Sequence, residues 1–210
     1  MLIERAPRLY RWCFPKAHWR FNTKEKVVYL TFDDGPIPEI TTWVLDVLDR
    51  YKIKATFFCV ADNVRKYPEI YQQILDRGNL TGNHTYHHLQ GIKTFSRKYV
   101  RDVDEARKLI KSNLFRPPHG HMRFPQLILL RKKYKIIMWD VVTRDYSYLI
   151  TKEQVLENVK KYTRNGSIIV FHDSLKSEEK MKYALPKAIE WLLENGYSFK
   201  LIEEENTEKE

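Results

Sequence analysis

The sequence predicts an α/β fold, a distorted (β/α) barrel with about seven parallel strands. Three observations lead there. Short apolar runs alternate with longer helical patterns along most of the chain, as a parallel sheet with crossover helices requires. The chain has 210 residues, whereas a full eight-fold barrel takes about 250, so the barrel must be trimmed. Carboxylates, imidazoles and an arginine recur where the candidate strands end, and such barrels gather their sites at those ends.

Residues 1–26 precede the first strand. They are rich in Arg, Lys, Trp and Tyr, with no continuous apolar core and no small-residue cleavage pattern, so they do not read as a secretory signal. The expected location is cytoplasmic, or peripheral to the inner face of a membrane. This extension either packs on the barrel or lies on a membrane through residues 1–22, which mix cationic and aromatic groups as interfacial segments do.

The strand candidates are 27–33, 55–60, 80–84, 114–116, 135–140, 167–171 and 199–202, the third and fourth having the weakest pattern. Between them, helical patterns fill 39–50, 68–77, 97–111, 125–133, 152–164 and 180–194. The first helix carries Ile40, Trp43, Val44, Val47 and Leu48 on one face. Thr151 before "KEQVLENV" reads as an N-cap with acidic residues in the first turn. Residues 203–210, "EEENTEKE", form a charged tail expected to fray.

Composition narrows the function classes. Hydrophobic residues make up 43% and charged residues 30%, a soluble globular balance. No apolar run reaches the length of a bilayer. Cys13 and Cys59 form no motif, and Cys59, within "ATFFCV", reads as a buried strand residue. The net charge is +10, from 37 Lys+Arg against 27 Asp+Glu. That balance favours acidic partners. The charges are scattered, however, with no aromatic RNA-binding signature or zinc-finger spacing, so no nucleic-acid partner is expected.

The strand ends carry the chemistry. The first closes on Asp33-Asp34 before Gly35-Pro36. Two like charges beside a core strand need a compensating cation. "HTYHH" follows the third and sets His84 and His88 four apart, a spacing that puts two imidazoles on one side of a helical turn, within reach of one ion. Arg116 stands before Pro117-Pro118, Asp140 and Asp145 follow the fifth strand, and His172-Asp173 close the sixth. His87 is expected to point elsewhere, and His18 and His121 read as structural. One Asp and two His make a three-ligand site that suits Zn²⁺ with a position left for water. Co²⁺, Mn²⁺ and Ni²⁺ accept the same donors. A second Asp can take the water's proton, and a His across the site can protonate a leaving group, which together hydrolyse an amide or ester.

At these residues the chain resembles the polysaccharide deacetylases, carbohydrate esterase family 4, with their chitooligosaccharide deacetylase homology domain. "TFDDG" at 31–35, "HTYHH" at 84–88, "RPPHG" at 116–120, "WDVVTRDY" at 139–146 and "VFHD" at 170–173 are similar to the family's five motifs, in order. The resemblance covers roughly residues 26–202 and implies a catalytic domain over 27–202. It implies Asp33 as base, Asp34, His84 and His88 as ligands of one divalent metal ion, and His172 as acid. It implies that Arg116 orients Asp33 and Asp145 orients His172. Pro118, His119, Gly120 and Tyr146 are expected to touch substrate or the developing oxyanion, with a backbone N–H near His119 as donor. Three positions depart from the family. His119 stands where an aromatic residue is usual, Val142 where many members have Asp, and Tyr146 where Trp is frequent. All three bear on the substrate groove. The expected substrate is an acetylated carbohydrate, N- or O-linked. A same-fold amidohydrolase of a non-sugar amide and a non-catalytic, metal-containing carbohydrate-binding module are the alternatives.

Overall fold

The computed structural model describes residues 4–202. Its elements are α1 (Arg8–Trp12), β1 (Val27–Asp33), α2 (Ile40–Arg50), β2 (Thr56–Cys59), α3 (Ala61–Lys66), α4 (Pro68–Asp76), β3 (Leu80–Asn83), α5 (Ser96–Ala106), β4 (Leu114–Phe115), α6 (Phe124–Leu130), β5 (Lys135–Ile136), β6 (Val141–Val142), α7 (Lys152–Tyr162), β7 (Ser167–His172), α8 (Glu178–Glu194) and β8 (Ser198–Phe199). The charged tail lies outside the described residues.

The strands lie in the order β5-β4-β3-β2-β1-β7-β6, with β8 on β1, and every pairing is parallel. β1 is central and buried along its length except at half-buried Tyr29. A parallel strand covered on both faces must be apolar throughout, which is why "VVYLTF" shows no alternation. Helices α2, α7 and α8 bury Val44, Leu48, Val155, Val159, Leu185 and Ile189 against it in the main core.

The expected strand over 135–140 is a correction. Only Lys135–Ile136 of it is strand, as β5, and β6 follows at Val141–Val142; the two lie at opposite edges of the sheet. Ile137 N–H donates to Phe115 O (2.9 Å) beside β4, and Asp140 N–H donates to Ile168 O (3.0 Å) beside β7. One stretch of chain thus crosses the seam of the curled sheet, too short-paired at either edge to remain one strand. Two short helices, α1 and α3, fall where no helical pattern is long enough to register.

Residues 4–21 pack into this seam. His18 bridges to Ile137, and Phe21 N–H donates to Gly166 O (3.0 Å). Ala6, Phe14 and Trp19 are buried with Phe115, Leu127 and Met138. The segment is also held by charge. Asp140, wholly buried, receives Arg11 (3.0 Å), Arg164 (2.8 and 2.9 Å) and the Ser167 hydroxyl (2.8 Å), with Arg5 Nε at 3.5 Å. Burial raises this carboxyl's pKa, but the bonds from Arg164, Ser167 and Arg11 outweigh it and hold the group down at about 2.

Replacing Asp140 with Ala removes these charge-assisted bonds while the arginines regain water. Stability is expected to fall by about 1–3 kcal/mol. Urea unfolding of Asp140→Ala beside the unaltered protein checks this, and an unchanged midpoint would show the clamp idle.

Candidate active site

β1 ends at Asp33, and the chain turns at once. Asp34 has φ 87°, in the left-handed region. The two carboxylates are therefore separated by this backbone turn and not by the pleat of an extended strand. Several bonds fix that turn. Asn63 Nδ2 donates to Asp34 O (2.8 Å) and Val60 N–H to Gly35 O (3.0 Å). From below, the buried Asp173 carboxylate accepts Gly35 N–H (3.1 Å) and the Thr41 hydroxyl (2.6 Å). A Cβ on residue 35 would come to 1.9 Å from Asp173 Oδ2, so only glycine fits there.

Asp173 is a residue whose part the sequence did not disclose. It adjoins His172, but nothing in "VFHD" says that it reaches back under Gly35. Burial, joined by the Asp34 charge and opposed by the bonds from Thr41 and Gly35, raises its pKa to about 8.

His84 and His88 do not lie on a helical turn. The segment after β3 is a tight loop with Thr85 (φ 66°) and His88 (φ 55°) both left-handed. Asn83 Oδ1 accepts Thr85 N–H (2.8 Å), and Asp102 accepts the Tyr86 and His87 amides (2.8 and 3.0 Å). His87 turns its Nδ1 to Asp102 (2.5 Å), away from the site, as its neighbours' spacing suggested. The loop brings His88 Nε2 to 3.1 Å and His84 Nε2 to 3.7 Å from Asp34 Oδ1. One ligand atom from each of the three residues lies within 4.8 Å of the others.

His84 is buried, and its Nδ1–H donates to Arg116 O (2.8 Å). A carbonyl only accepts, so Nδ1 carries the proton and Nε2 keeps its lone pair for a metal. Burial pushes the His84 pKa down to about 4, which favours the neutral, ligating ring. Burial pushes Asp34 the other way. The hydrogen bond from His88 and the charges of His172, His88 and His84 overcome it and hold the carboxyl well below the usual range. Two neutral-capable imidazoles and a carboxylate, converging with their lone pairs, fit a divalent ion.

Arg116 is buried to 1% and reaches Asp33 Oδ1 at 2.6 Å. It also donates to the Thr31 hydroxyl (2.9 Å) and to the carbonyls of Ile137 (3.3 Å) and Met138 (3.0 Å). Opposite, His172 Nδ1 meets the buried Asp145 Oδ1 at 2.8 Å, and Asp145 Oδ2 accepts the His172 amide at 2.8 Å. Burial lowers the His172 pKa, but the charge and hydrogen bond of Asp145, with Asp34 and Asp33, more than reverse it and raise the group to about 9.

Asp33, Asp34, His84, His88, Arg116 and His172 line one cavity of about 610 Å³. His119, Gly120 and Tyr146 line it too. His119 stands against His88, their ring centroids 4.8 Å apart, and Tyr146 stands edge-on to His172 at 4.7 Å. Pro118 does not line it, which corrects the expectation; Pro118 is buried at the start of a short 3₁₀ turn, and Pro117 takes the wall position. His121, read as structural, is on the wall, where Tyr10 Oη bonds its Nδ1 (2.5 Å) and Gly120 O (2.6 Å). Ala6, Pro7, Leu9 and Cys13 form the rest of that side. No sequence pattern near residue 10 could have announced a contact with residues 110 positions away.

Residues 20–137, over half of the chain, match the family model of polysaccharide deacetylases. The chain belongs to that family. This deacetylase is 31% identical to a peptidoglycan-N-acetylglucosamine deacetylase of Bacillus cereus over 194 residues, 89% of this chain and 91% of the relative. It is 32% identical to the peptidoglycan-N-acetylmuramic acid deacetylase PdaA of Bacillus subtilis over 207 residues, 92% and 76% of the two chains. Among solved structures, the Bc1960 peptidoglycan N-acetylglucosamine deacetylase, in complex with 4-naphthalen-1-yl-N-oxidanyl-benzamide, superposes with a TM-score of 0.83 at 29% identity. That match covers 94% of this chain and 95% of the other.

The Gly35 contact gives a test of the turn. Gly35→Ala drives a methyl into the Asp173 carboxylate and is expected to cost about 1–3 kcal/mol. Differential scanning calorimetry should show a lower melting temperature for Gly35→Ala, partly restored in Gly35→Ala/Asp173→Ala. An unchanged melting temperature in the single variant would contradict the packing of the turn.

Proposed function

We propose that this deacetylase is a divalent-metal-dependent hydrolase that removes acetyl groups from an acetylated amino-sugar substrate. The supporting observation is the convergence of Asp34, His84 and His88 in one cavity with two carboxylate-linked groups, Asp33–Arg116 and His172–Asp145. The names of its relatives, peptidoglycan deacetylases, support an N-acetyl group on a glycan as the bond cleaved.

Asp34, His84 and His88 would hold the ion through one oxygen and two nitrogens, with Zn²⁺ the proposed metal and Co²⁺, Mn²⁺ or Ni²⁺ able to use the same donors. When bound, it supplies Lewis acidity to the acetyl carbonyl and makes water a stronger nucleophile. The remaining steps belong to side chains. Arg116 occupies Asp33 Oδ1, which leaves Oδ2 to take the proton from the attacking water. His172 has Nδ1 committed to Asp145, so Nε2 delivers a proton to the leaving amine nitrogen. The C–N bond breaks, and acetate and a free amine result. In the 3₁₀ turn, the amides of Gly120 and His121 are spent on Pro117 O (2.9 Å) and Pro118 O (3.3 Å), which leaves the His119 N–H as the turn's candidate donor to the oxyanion.

Two carboxylates with different roles give different variants. Asp33→Asn should keep metal affinity and lose about 10²–10⁴ in turnover, the usual share of a general base. Asp34→Asn should lose the metal, with activity partly recovered in excess metal. Bound metal by elemental analysis and acetate release from acetylated oligosaccharides decide this. If Asp33→Asn empties the site while Asp34→Asn does not, the assignment is reversed.

The acid has its own signature. His172 is protonated below its raised pKa of about 9 and loses the proton above it, so activity should fall on the alkaline side. With a cation on Asp34, Asp145 remains the main partner that raises the pKa, with Asp33 beside it. Asp145→Asn should therefore move the alkaline limb of kcat/KM to lower pH. The stability linked to this pair is complete below the ordinary histidine value of 6.5 and is lost as pH rises through about 9. An alkaline limb that stays in place in Asp145→Asn would remove His172 as the acid.

A further inference from the structure

The most exposed apolar side chains among the described residues gather at one end. Among the described residues, six large hydrophobics are at least 74% exposed: Leu9, Trp12, Phe95, Tyr148, Leu149 and Leu175. Leu9 and Trp12 lie three apart on α1. Phe95 lies between β3 and α5, Tyr148 and Leu149 between β6 and α7, and Leu175 between β7 and α8. These loops all follow the C-terminal ends of strands. Three of the six adjoin the cavity: Leu9 lines it, Leu175 stands between the lining residues Ser174 and Lys176, and Tyr148 lies two positions beyond the lining residue Tyr146. Of the other large hydrophobics among the described residues, Phe124 at the start of α6 is 57% exposed and Ile92, in the same loop as Phe95, is 52% exposed, and the rest are at most 45% exposed.

An exposed leucine forgoes about 1.5–3 kcal/mol of burial, so a clustered rim of this kind marks a surface that meets something. Its chemistry selects the partner. Three of the six are leucines, which offer no hydrogen bonds to a glycan. Trp12 and Tyr148 join an apolar body to a polar edge, as interfacial residues do. Cations are interleaved. Lys93 and Arg97 are exposed on either side of Phe95, Lys176 is exposed beside Leu175, and Lys180 Nζ lies 5.8 Å from the Tyr148 ring centroid. Acids share this end too, with Glu39, Glu153 and Glu179 exposed, but the whole chain carries +10. No helix among the described residues is long and apolar enough to cross a membrane. The pattern of leucine wedges, interfacial aromatics and lysines is that of a surface that lies on lipid.

We propose that this end of the barrel docks on the headgroup layer of an anionic membrane, with the cavity mouth facing the lipid. The contact is broader than the N-terminal segment that the sequence singled out. In that segment Phe14 and Trp19 are buried and Tyr10 is half-buried, so only Leu9 and Trp12 serve this surface, together with three loops from elsewhere in the chain. The docking does not depend on the catalytic reading.

The test is cosedimentation of the full chain with vesicles of phosphatidylglycerol and phosphatidylcholine, against phosphatidylcholine alone. Binding to the anionic vesicles should be at least tenfold tighter and should weaken as salt rises. Trp12→Glu/Leu149→Glu should lose at least tenfold in binding at an unchanged melting temperature, and Leu193→Glu, on the outer flank of α8, should bind as the unaltered protein does. If the double variant fails to fold, Phe95→Glu and Leu149→Glu alone should each lose about threefold or more. Absence of binding to anionic vesicles at low salt would overturn the proposal. So would equal binding to both vesicle types, full binding by the folded rim variants, or a dimer in sedimentation velocity that the rim variants dissociate while vesicles capture nothing.

Discussion

The guanidinium of Arg116 is the interaction on which the rest of this structure hangs. It sits inside the barrel, out of reach of water, where an unpaired charge would cost several kcal/mol. Its hydrogen bonds go to Thr31 and Asp33 on β1 and to the carbonyls of Ile137 and Met138 beside β5. Phe58 of β2 lies under it, the ring centroid 4.1 Å from Cζ. Its own carbonyl holds His84 after β3. One residue at the end of a two-residue strand therefore touches the groups proposed as base and as metal ligand, and it stitches the crossing segment to the sheet. The interior of the barrel and the floor of the site are the same set of bonds.

Around this hub, each titratable group has a partner of its own. Asp33 has Arg116, Asp34 has two imidazoles, His172 has Asp145, and Asp173 has an amide and a hydroxyl. This is how two adjacent carboxylates are tolerated beside a core strand. The turn at Asp34 sends one to the arginine and the other to the histidines, and burial then strengthens each pairing because no water competes. Burial also sets the rings apart in function: it drives His84 towards the neutral form, while Asp145 draws His172 towards the charged one. Two histidines in one cavity reach opposite states through their neighbours.

The parts legible in the sequence were those written in local pattern. Central strands such as 27–33 are buried on both faces and so read as continuous apolar runs. The residues that converge on the cavity stand at the ends of such runs, so topology alone places Asp33, His84, Arg116 and His172 together. What escaped was set by distant contacts or by single backbone angles. Nothing in "HTYHH" distinguishes a helical turn from a loop with Thr85 and His88 left-handed. The split of 135–142 into β5 and β6 depends on which neighbours lie at each edge. Asp173 is useful only because Gly35 lies above it, and Tyr10 only because Gly120 and His121 come within reach. Such pairings have no signature in either member's own neighbourhood.

The N-terminal wall of the cavity carries a consequence for the order of assembly. The bonds that tie it to the barrel reach far along the chain: Tyr10 to Gly120, Arg11 to Asp140, Arg5 to Tyr162, and Glu4 to Arg144. Such contacts become favourable only once intervening loops have closed, and loop closure over so many residues is slow. Residues 4–14 therefore gain these partners only when strands from the second half of the chain are in place. Without them the site would be an open trough; Ala6, Pro7, Leu9, Tyr10 and Cys13 supply the side that makes it a cavity.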